Sequence, residues 1–349
     1  MNKNDSNAPR GTGLQPKNRF SQFLYEHCDE YNENESPRKT ELISDNSKSV
    51  ITHNESPDIG YEASLNPYRG CEHGCIYCYA RPMHEYFGYS CGLDFETKIL
   101  VKHNAPELLK KEILAPGYKP TVLSLSSATD PYQPIEQQFQ LTRKCLEVLV
   151  QYRHPVCIVT KNALILRDID LLKELAKYKA VSVSISITTL DPELKKILEP
   201  RTTPPEARIS TIRKLASEGI PVNVLVAPII PALTDNEIPQ ILKEAANAGA
   251  TEAYYSILRL PYGVAELFED WLNRWFPLRK EKILNRIKSL HGGKIYDPQF
   301  FRRLTGEGVW AEHIKRLFEI LCRKYNLNNH TCDVCQSAFT PDRQMHFKF

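Results

Sequence analysis

The chain has 349 residues, 42% of them hydrophobic, with 45 basic against 42 acidic side chains and a net charge of +3. That length supports one large core or two modest ones, and the balanced charge excludes a bulk electrostatic drive toward nucleic acid while leaving room for a local basic patch. The longest apolar runs, such as VNVLVAPII, fall far short of the about 20 residues a membrane helix needs, and MNKNDSNAPRGTG lacks the charged-then-apolar layout of a signal peptide, so a cytoplasmic protein without membrane partners is expected.

Residues 1–55 are rich in Asn, Ser, Pro, Glu and Lys and poor in apolar positions, which predicts a flexible, disordered N-terminal arm. Across 56–260, short β-rich runs alternate with helical patterns, the signature of a parallel sheet with helices packed outside it. The runs are YEASLNPYRG, TVLSLSS, VCIVT, VSVSISIT, VNVLVAPII and EAYYSIL. Between them PELLKKEILA, EQQFQLTRKCLEVLVQY, RDIDLLKELAKY, PPEARISTIRKLASEG and TDNEIPQILKEAANAG carry apolar residues at spacings of three and four. Two of these helices end at Gly219 and Gly249, the residue type suited to the left-handed position that stops a helix. Six strands with their crossovers predict an α/β fold, a partial barrel, and residues 261–349 read as a C-terminal helical extension and tail. In VSVSISIT, Ser182, Ser184, Ser186 and Thr188 alternate with Val181, Val183, Ile185 and Ile187, so one strand face is polar. That face suits either a lumen for a polar ligand or the solvent side of an antiparallel sheet.

The stretch NPYRGCEHGCIYCYARP places Cys71, Cys75 and Cys78 within eight positions, with the next cysteine at Cys91. Their spacing would align them on a helix face as small core residues, but Pro67, Gly70, Gly74 and Pro82 favour a wrapping loop. Ten cysteines in a reducing compartment argue against a disulfide framework and for metal or thiol chemistry. Zinc completed by His73 or Cys91 is one possibility; an iron-sulfur cluster held at three of four irons, with one iron open to a small molecule, is the other.

The CxxxCxxC loop, with Tyr77 just before its third cysteine, resembles the radical S-adenosylmethionine (radical SAM) superfamily. The strings SPDIGYEASLNPYRGCEHGCIYCYARP, ATDPYQPIE, TKNALILRDIDLL, ITTLDPELKKILEPRTTPPEAR and VAPIIPALTD resemble its branch related to spore photoproduct lyase, also labelled DNA-repair-photolyase-like, from about Arg10 to beyond Tyr255. The resemblance implies a partial (β/α)6 TIM-like barrel binding a 4Fe-4S cluster and S-adenosyl-L-methionine. It also implies reductive cleavage of that cofactor to a 5'-deoxyadenosyl radical, in an enzyme of lyase or transferase type. An external one-electron reductant of flavodoxin or ferredoxin type is implied as a partner. Cys71, Cys75 and Cys78 match the cluster ligands. Tyr77 matches an aromatic on the adenine side of the cofactor, Thr129 and Asp130 a turn near its amino group, Lys161 a lysine near its carboxylate. Ser184 and Arg201 match groups near the ribose and carboxylate. One departure is clear: no cysteine occurs from Ser124 to Asp130, where the spore enzyme carries its hydrogen donor, so thymine-dimer splitting by that route is not expected.

Nucleic acid is the substrate class suggested by that branch, and the alternative is a zinc-stabilised nucleic-acid-binding module without catalysis. A basic face of Arg279, Lys282 and Arg286 suits phosphates, or is simply the solvated face of a helix. The tail pair Cys332 and Cys335, with Cys322 and His330 nearby, has CxxC spacing but no second pair, which favours no metal there.

Overall fold

A computed structural model describes residues 9–21, 39–125, 127–329 and 334–341. Ten strands are found among these residues: β1 Glu41–Ser44, β2 Ile51–His53, β3 Ala63–Leu65, β4 Tyr68–Arg69, β5 Lys98–Val101, β6 Leu123–Leu125, β7 Val156–Thr160, β8 Val181–Ser186, β9 Val222–Ile229 and β10 Glu252–Ile257. The six expected runs supply β3 and β6 to β10, which lie side by side and parallel, and β2 adds an antiparallel edge to give the order β10-β9-β8-β7-β6-β3-β2. The expected partial barrel is therefore present, and its two edge strands leave one side open. A small second sheet, β1-β5-β4, stands beside it.

The helices are α1 Leu93–Thr97, α2 Ala105–Ile113, α3 Glu136–Phe139, α4 Leu141–Tyr152, α5 Ile169–Ala176, α6 Pro192–Leu198, α7 Pro205–Ser217, α8 Ile238–Asn247, α9 Gly263–Trp275, α10 Lys280–Leu290, α11 Arg302–Thr305 and α12 Gly308–Lys324. In α4 the residues Leu141, Cys145, Leu146, Leu149 and Val150 recur at helical spacing and are buried. All but Leu141, which packs with Tyr68, Ile99 and Val101, meet Leu125, Ile158, Val183 and Val224 of the sheet in one large core. The single helix expected over EQQFQLTRKCLEVLVQY is two, because Gln140 takes a left-handed conformation (φ 52°) between α3 and α4. Gly219 (φ 73°) follows α7 and Gly249 (φ 101°) follows α8, as their sequence positions predict.

Residues 9–21 and 39–55 lie within the stretch expected to be an arm; the rest of that stretch is outside the described residues. Polar bonds seat the first segment: Asn18 Nδ2 donates to the carbonyls of Glu85 and Tyr89, both at 2.9 Å, and the Arg10 guanidinium donates to the carbonyl of Glu96 at 2.7 Å. In the second, β1 pairs with β5 and β2 with β3. No apolar periodicity marks either segment, which is why composition alone read them as loose.

At the other end, Val264, Leu267, Phe268 and Trp271 of α9 join Ile283 and Ile287 of α10 in a second core with Ile76, Tyr77 and Leu198. Helix α12 returns to the main core through Ile314, Phe318 and Leu321. No helix among the described residues is long and apolar enough to cross a membrane.

Candidate active site

Cys71, Cys75 and Cys78 occupy a loop after β4, not a helix, and Gly70 (φ 78°) and Gly74 (φ 67°) supply conformations that other residues adopt only under strain. The loop is anchored on every side by backbone groups. Cys71 N donates to Phe95 O at 2.8 Å, Ile76 N to Leu198 O at 3.1 Å, and Arg201 N to His73 O at 3.2 Å. Gln133, fully buried, accepts from Glu72 N at 2.9 Å and donates to Gly70 O at 3.2 Å. Arg81 closes the far side, its Nε on the Cys75 carbonyl at 3.0 Å and its Nη2 on Glu96 at 2.5 Å.

Cys71 and Cys75 are buried and Cys78 half-buried. Burial pushes all three thiols up from their ordinary range, and at Cys71 the neighbouring Asp130 carboxylate adds to the effect. Cys71 packs with Cys78 against Ala80 and Phe95, so these two cysteines are neighbours in space as well as in sequence. The side chains of the described residues form no closed group of three or more metal-coordinating donors. The donor set nonetheless fits an iron-sulfur cluster: three soft thiols on a fixed loop, in an apolar setting where a bound cation would favour the thiolate form.

Beneath the loop the inner face of the sheet is polar. Ser64, Ser124, Cys157 and Ser182 stand in register across β3, β6, β7 and β8, and Asn223 of β9 donates to Ser182 Oγ at 3.0 Å. The alternation in β8 thus does face the lumen, and its polar row continues onto strands whose sequences showed it less plainly. Ser184 lies on that row, between Val159 and Asn223 in register.

At the C-terminal ends of the strands the row becomes a charged floor. Lys161, directly after β7, places its ammonium 2.7 Å from Ser186 Oγ, 3.0 Å from Ala227 O, and 3.1 Å from both Thr188 Oγ1 and Glu199 Oε1. Those partners occupy all three of its donors. Glu199 also accepts from the Tyr77 hydroxyl, from Thr188 at 2.7 Å and from the Arg208 guanidinium. Burial pushes the Glu199 carboxyl up, but Arg208 and Lys161 together outweigh it and hold the group well below the usual range. The Tyr77 hydroxyl, by contrast, is pushed far up by burial and then by Glu199.

The other expected residues lie around this floor. Thr129 is buried against the Tyr68 carbonyl at 3.3 Å. Asp130 is a hub, accepting from Thr160 Oγ1 at 2.7 Å and Lys161 N at 2.8 Å and standing 3.4 Å from His73 Nδ1. Arg201 contacts the cysteine loop itself, its guanidinium 3.7 Å from Glu72 and its backbone N on the His73 carbonyl at 3.2 Å. Glu199 and Arg208 were not singled out from the sequence, whereas Thr188 was read there as part of the polar row and His73 only as a candidate zinc ligand. Glu199 shares the string LEPRT with Arg201, but a charged residue beside a helix end reads as surface unless its partners are known. Arg279 donates to the Ala232 carbonyl at 2.5 Å and Arg286 lies 3.3 Å from the Trp310 ring centroid, so two members of the expected basic face are engaged within the chain. In the tail, Cys335 is described and Cys332 and His330 lie outside the described residues.

Comparison with known proteins places this geometry in a family. The uncharacterized protein Mb2609c of Mycobacterium bovis is 35% identical over 253 residues, covering 72% of this chain and 73% of that protein. The uncharacterized protein MJ0683 of Methanocaldococcus jannaschii is 33% identical, covering 71% and 88%. A radical SAM Nalpha-GlyT isomerase of Pseudomonas phage M6 is 28% identical over 63% of this chain and 44% of its own length. Among solved structures, spore photoproduct lyase complexed with dinucleoside spore photoproduct superposes with a TM-score of 0.59 over 81% of this chain and 79% of that one, at 15% identity, so the likeness is one of fold. The family model described as the radical SAM superfamily matches residues 65–245, which span the cysteine loop and the barrel through α8, and the chain belongs to that superfamily.

Proposed function

We propose that this radical SAM enzyme holds a 4Fe-4S cluster on Cys71, Cys75 and Cys78, takes an electron from an external one-electron donor, and acts on nucleic acid. The observation that carries the cluster assignment is the loop itself: three soft donors anchored by backbone bonds over a polar lumen within the family's matched span. When bound, the cluster supplies the electron that cleaves S-adenosylmethionine. The protein's own tasks are orientation and exclusion of water. Lys161 and Ser184 present polar groups into the lumen toward the cofactor, Asp130 fixes the Lys161 backbone, and Thr129 lines the adjoining turn. Tyr77 within the loop and Arg201 against it carry the adenine and carboxylate sides of the same assignment. Because every Lys161 donor is already engaged, contact with a carboxylate requires exchanging one internal partner. Support for a nucleic-acid substrate comes from the shared fold with an enzyme bound to a dinucleoside lesion.

Anaerobic reconstitution tests the cluster. The wild type is expected to bind about four irons per chain and turn brown, Cys75→Ala to lose them, and Cys145→Ala to retain them, because Cys145 is fully buried among the helices behind the sheet. Equal iron in the two variants, or a colourless zinc protein, would overturn it. Transfer of deuterium from a labelled oligonucleotide into 5'-deoxyadenosine tests the substrate class, and label-free product across DNA and RNA probes would reject it.

A further inference from the structure

Across the open side of the barrel runs a cleft of about 410 Å³, walled by the β2–β3 edge on one side and by the loop after β10 with the C-terminal extension on the other. Ser64 and Ser127 are part of its lining, and Tyr79, the residue after Cys78, forms one wall while its hydroxyl donates to Ser127 O at 2.7 Å. A molecule in this cleft therefore lies beside the cysteine loop and over the polar lumen.

The lining has an unusual composition. It includes Tyr61, Tyr79, Tyr86 and Tyr262, three arginines, and no aspartate or glutamate. Tyr79, Tyr86 and Tyr262 are 42%, 71% and 61% exposed, an outlay of apolar ring surface to water that folding alone does not favour. Tyr262 is also held at φ 52°, ψ −130°, a backbone conformation costly for any residue with a side chain. The arginines are not equivalent. Arg19 is paired with Glu85 at 2.6 Å and Arg303 with Asp58 at 2.6 Å. Arg259 has no carboxylate within ion-pair distance among the described residues; its guanidinium rests 4.3 Å from the Tyr79 ring centroid. Tyr262 carries the Arg19 guanidinium 3.6 Å from its ring centroid and Tyr86 packs beside Phe20 at 4.8 Å, so the cleft offers the remaining exposed aromatic surface around one cation without a carboxylate partner.

Resting on the reading of a nucleic-acid substrate, we propose that this cleft is where the substrate binds as a single strand, with Arg259 contacting a phosphate and Tyr79, Tyr86 and Tyr262 stacking on bases. Stacking on aromatic rings beside a positive groove is how single strands are held without base-edge readout, since every base has a π-face and each carries its own phosphate. An aromatic peptide also suits the rings, but it brings no anion with each ring to meet Arg259.

Fluorescence anisotropy with a labelled thymidine tetranucleotide and the full-length chain at low salt measures this. Arg259→Gln is expected to weaken binding about tenfold and to lower the log-log salt slope by about 0.7, the loss of one phosphate contact on a single strand. Tyr86→Ala, at a position too exposed to unfold the protein, is expected to weaken it at least fivefold without changing the melting temperature. A sugar-phosphate chain without bases should bind at least tenfold more weakly than the tetranucleotide. Wild-type binding with unchanged affinity in both variants overturns the cleft assignment and leaves the nucleic-acid reading standing. No wild-type binding to single strands at low salt overturns the cleft assignment, with the nucleic-acid reading then decided by the deuterium transfer test, and tighter binding of an aromatic peptide than of the tetranucleotide gives the cleft to that class.

Discussion

Glu199 has no exposure to water, and its carboxylate is met by Arg208 and Lys161 as well as by the hydroxyls of Tyr77 and Thr188. Two cations thus compensate this one buried anion, while Asp130, accepting from the Lys161 backbone N at 2.8 Å, brings a second carboxylate to the floor. The same arrangement makes Arg208 structurally costly to remove, because the carboxylate then stays buried with half its compensation. Arg208→Met is expected to lower the unfolding free energy by about 3–5 kcal/mol at pH 7 in urea titrations. The pH dependence has a definite sign. A carboxyl held below its ordinary value of 4.5 contributes stability that is complete above that value and is withdrawn as the pH falls beneath it. Wild-type stability should therefore decline on acidification below about pH 4.5, and the variant should decline less over the same interval. Parallel acid limbs in the two proteins would show that the pair is not the source.

At the scale of elements, the cysteine loop depends on a segment that the sequence did not mark. Gly11 N donates to Glu96 Oε2 at 2.8 Å, and Glu96 in turn holds Arg81, which holds the Cys75 carbonyl. A Cβ at Gly11 would fall 1.8 Å from the Gly74 carbonyl oxygen, whereas one at Gly13 would meet nothing within 4 Å. Gly11→Ala is accordingly expected to lift residues 9–21 from the loop, at about 1–3 kcal/mol in stability and with faster cleavage there in limited proteolysis. Gly13→Ala should match the wild type, and equal proteolysis of both variants would remove the segment from any role at the loop. What made β3 and β6 to β10 legible was burial: parallel strands covered by helices on one face show as short β-rich runs between amphipathic helices. Residues 9–21 gave no such signal because their bonds are polar and individually placed, as with Asn18 on two carbonyls. The cysteine loop was legible from spacing and glycine placement, and the polar row of β8 from strict alternation. Its charged floor was not, since Lys161, Glu199 and Arg208 come from three separate segments and only folding brings them together.

For the whole molecule the open side of the barrel is the consequential feature, since β2 and β10 end the sheet without pairing to each other. Among the described residues, a cross-link at Asp58 spans that gap. Arg303 of α11 donates through Nε at 2.8 Å and Nη2 at 2.6 Å to the carboxylate of Asp58, in the turn between β2 and β3, and Phe301 N adds a bond to the same carboxylate at 3.0 Å. The guanidinium is thus paired in the two-pronged geometry that makes such bonds directional as well as strong. Burial raises the Asp58 carboxyl, but the bonds from Arg303 and Phe301 more than offset it and hold the group below its ordinary range. Asp58→Asn keeps the shape and removes the charge, so the loss should be confined to this link, about 1–3 kcal/mol. Hydrogen exchange is the informative measurement. Amides in the region 296–306 are expected to exchange faster in the variant, while those of β7, β8 and β9, in the middle of the sheet, keep wild-type protection. Because Arg303 also lines the tyrosine cleft, loosening this wall should shorten the residence of a bound tetranucleotide as well as speed exchange. Unchanged exchange at 296–306 would mean that packing of α11 against β10, not the Asp58 link, keeps the extension closed over the barrel.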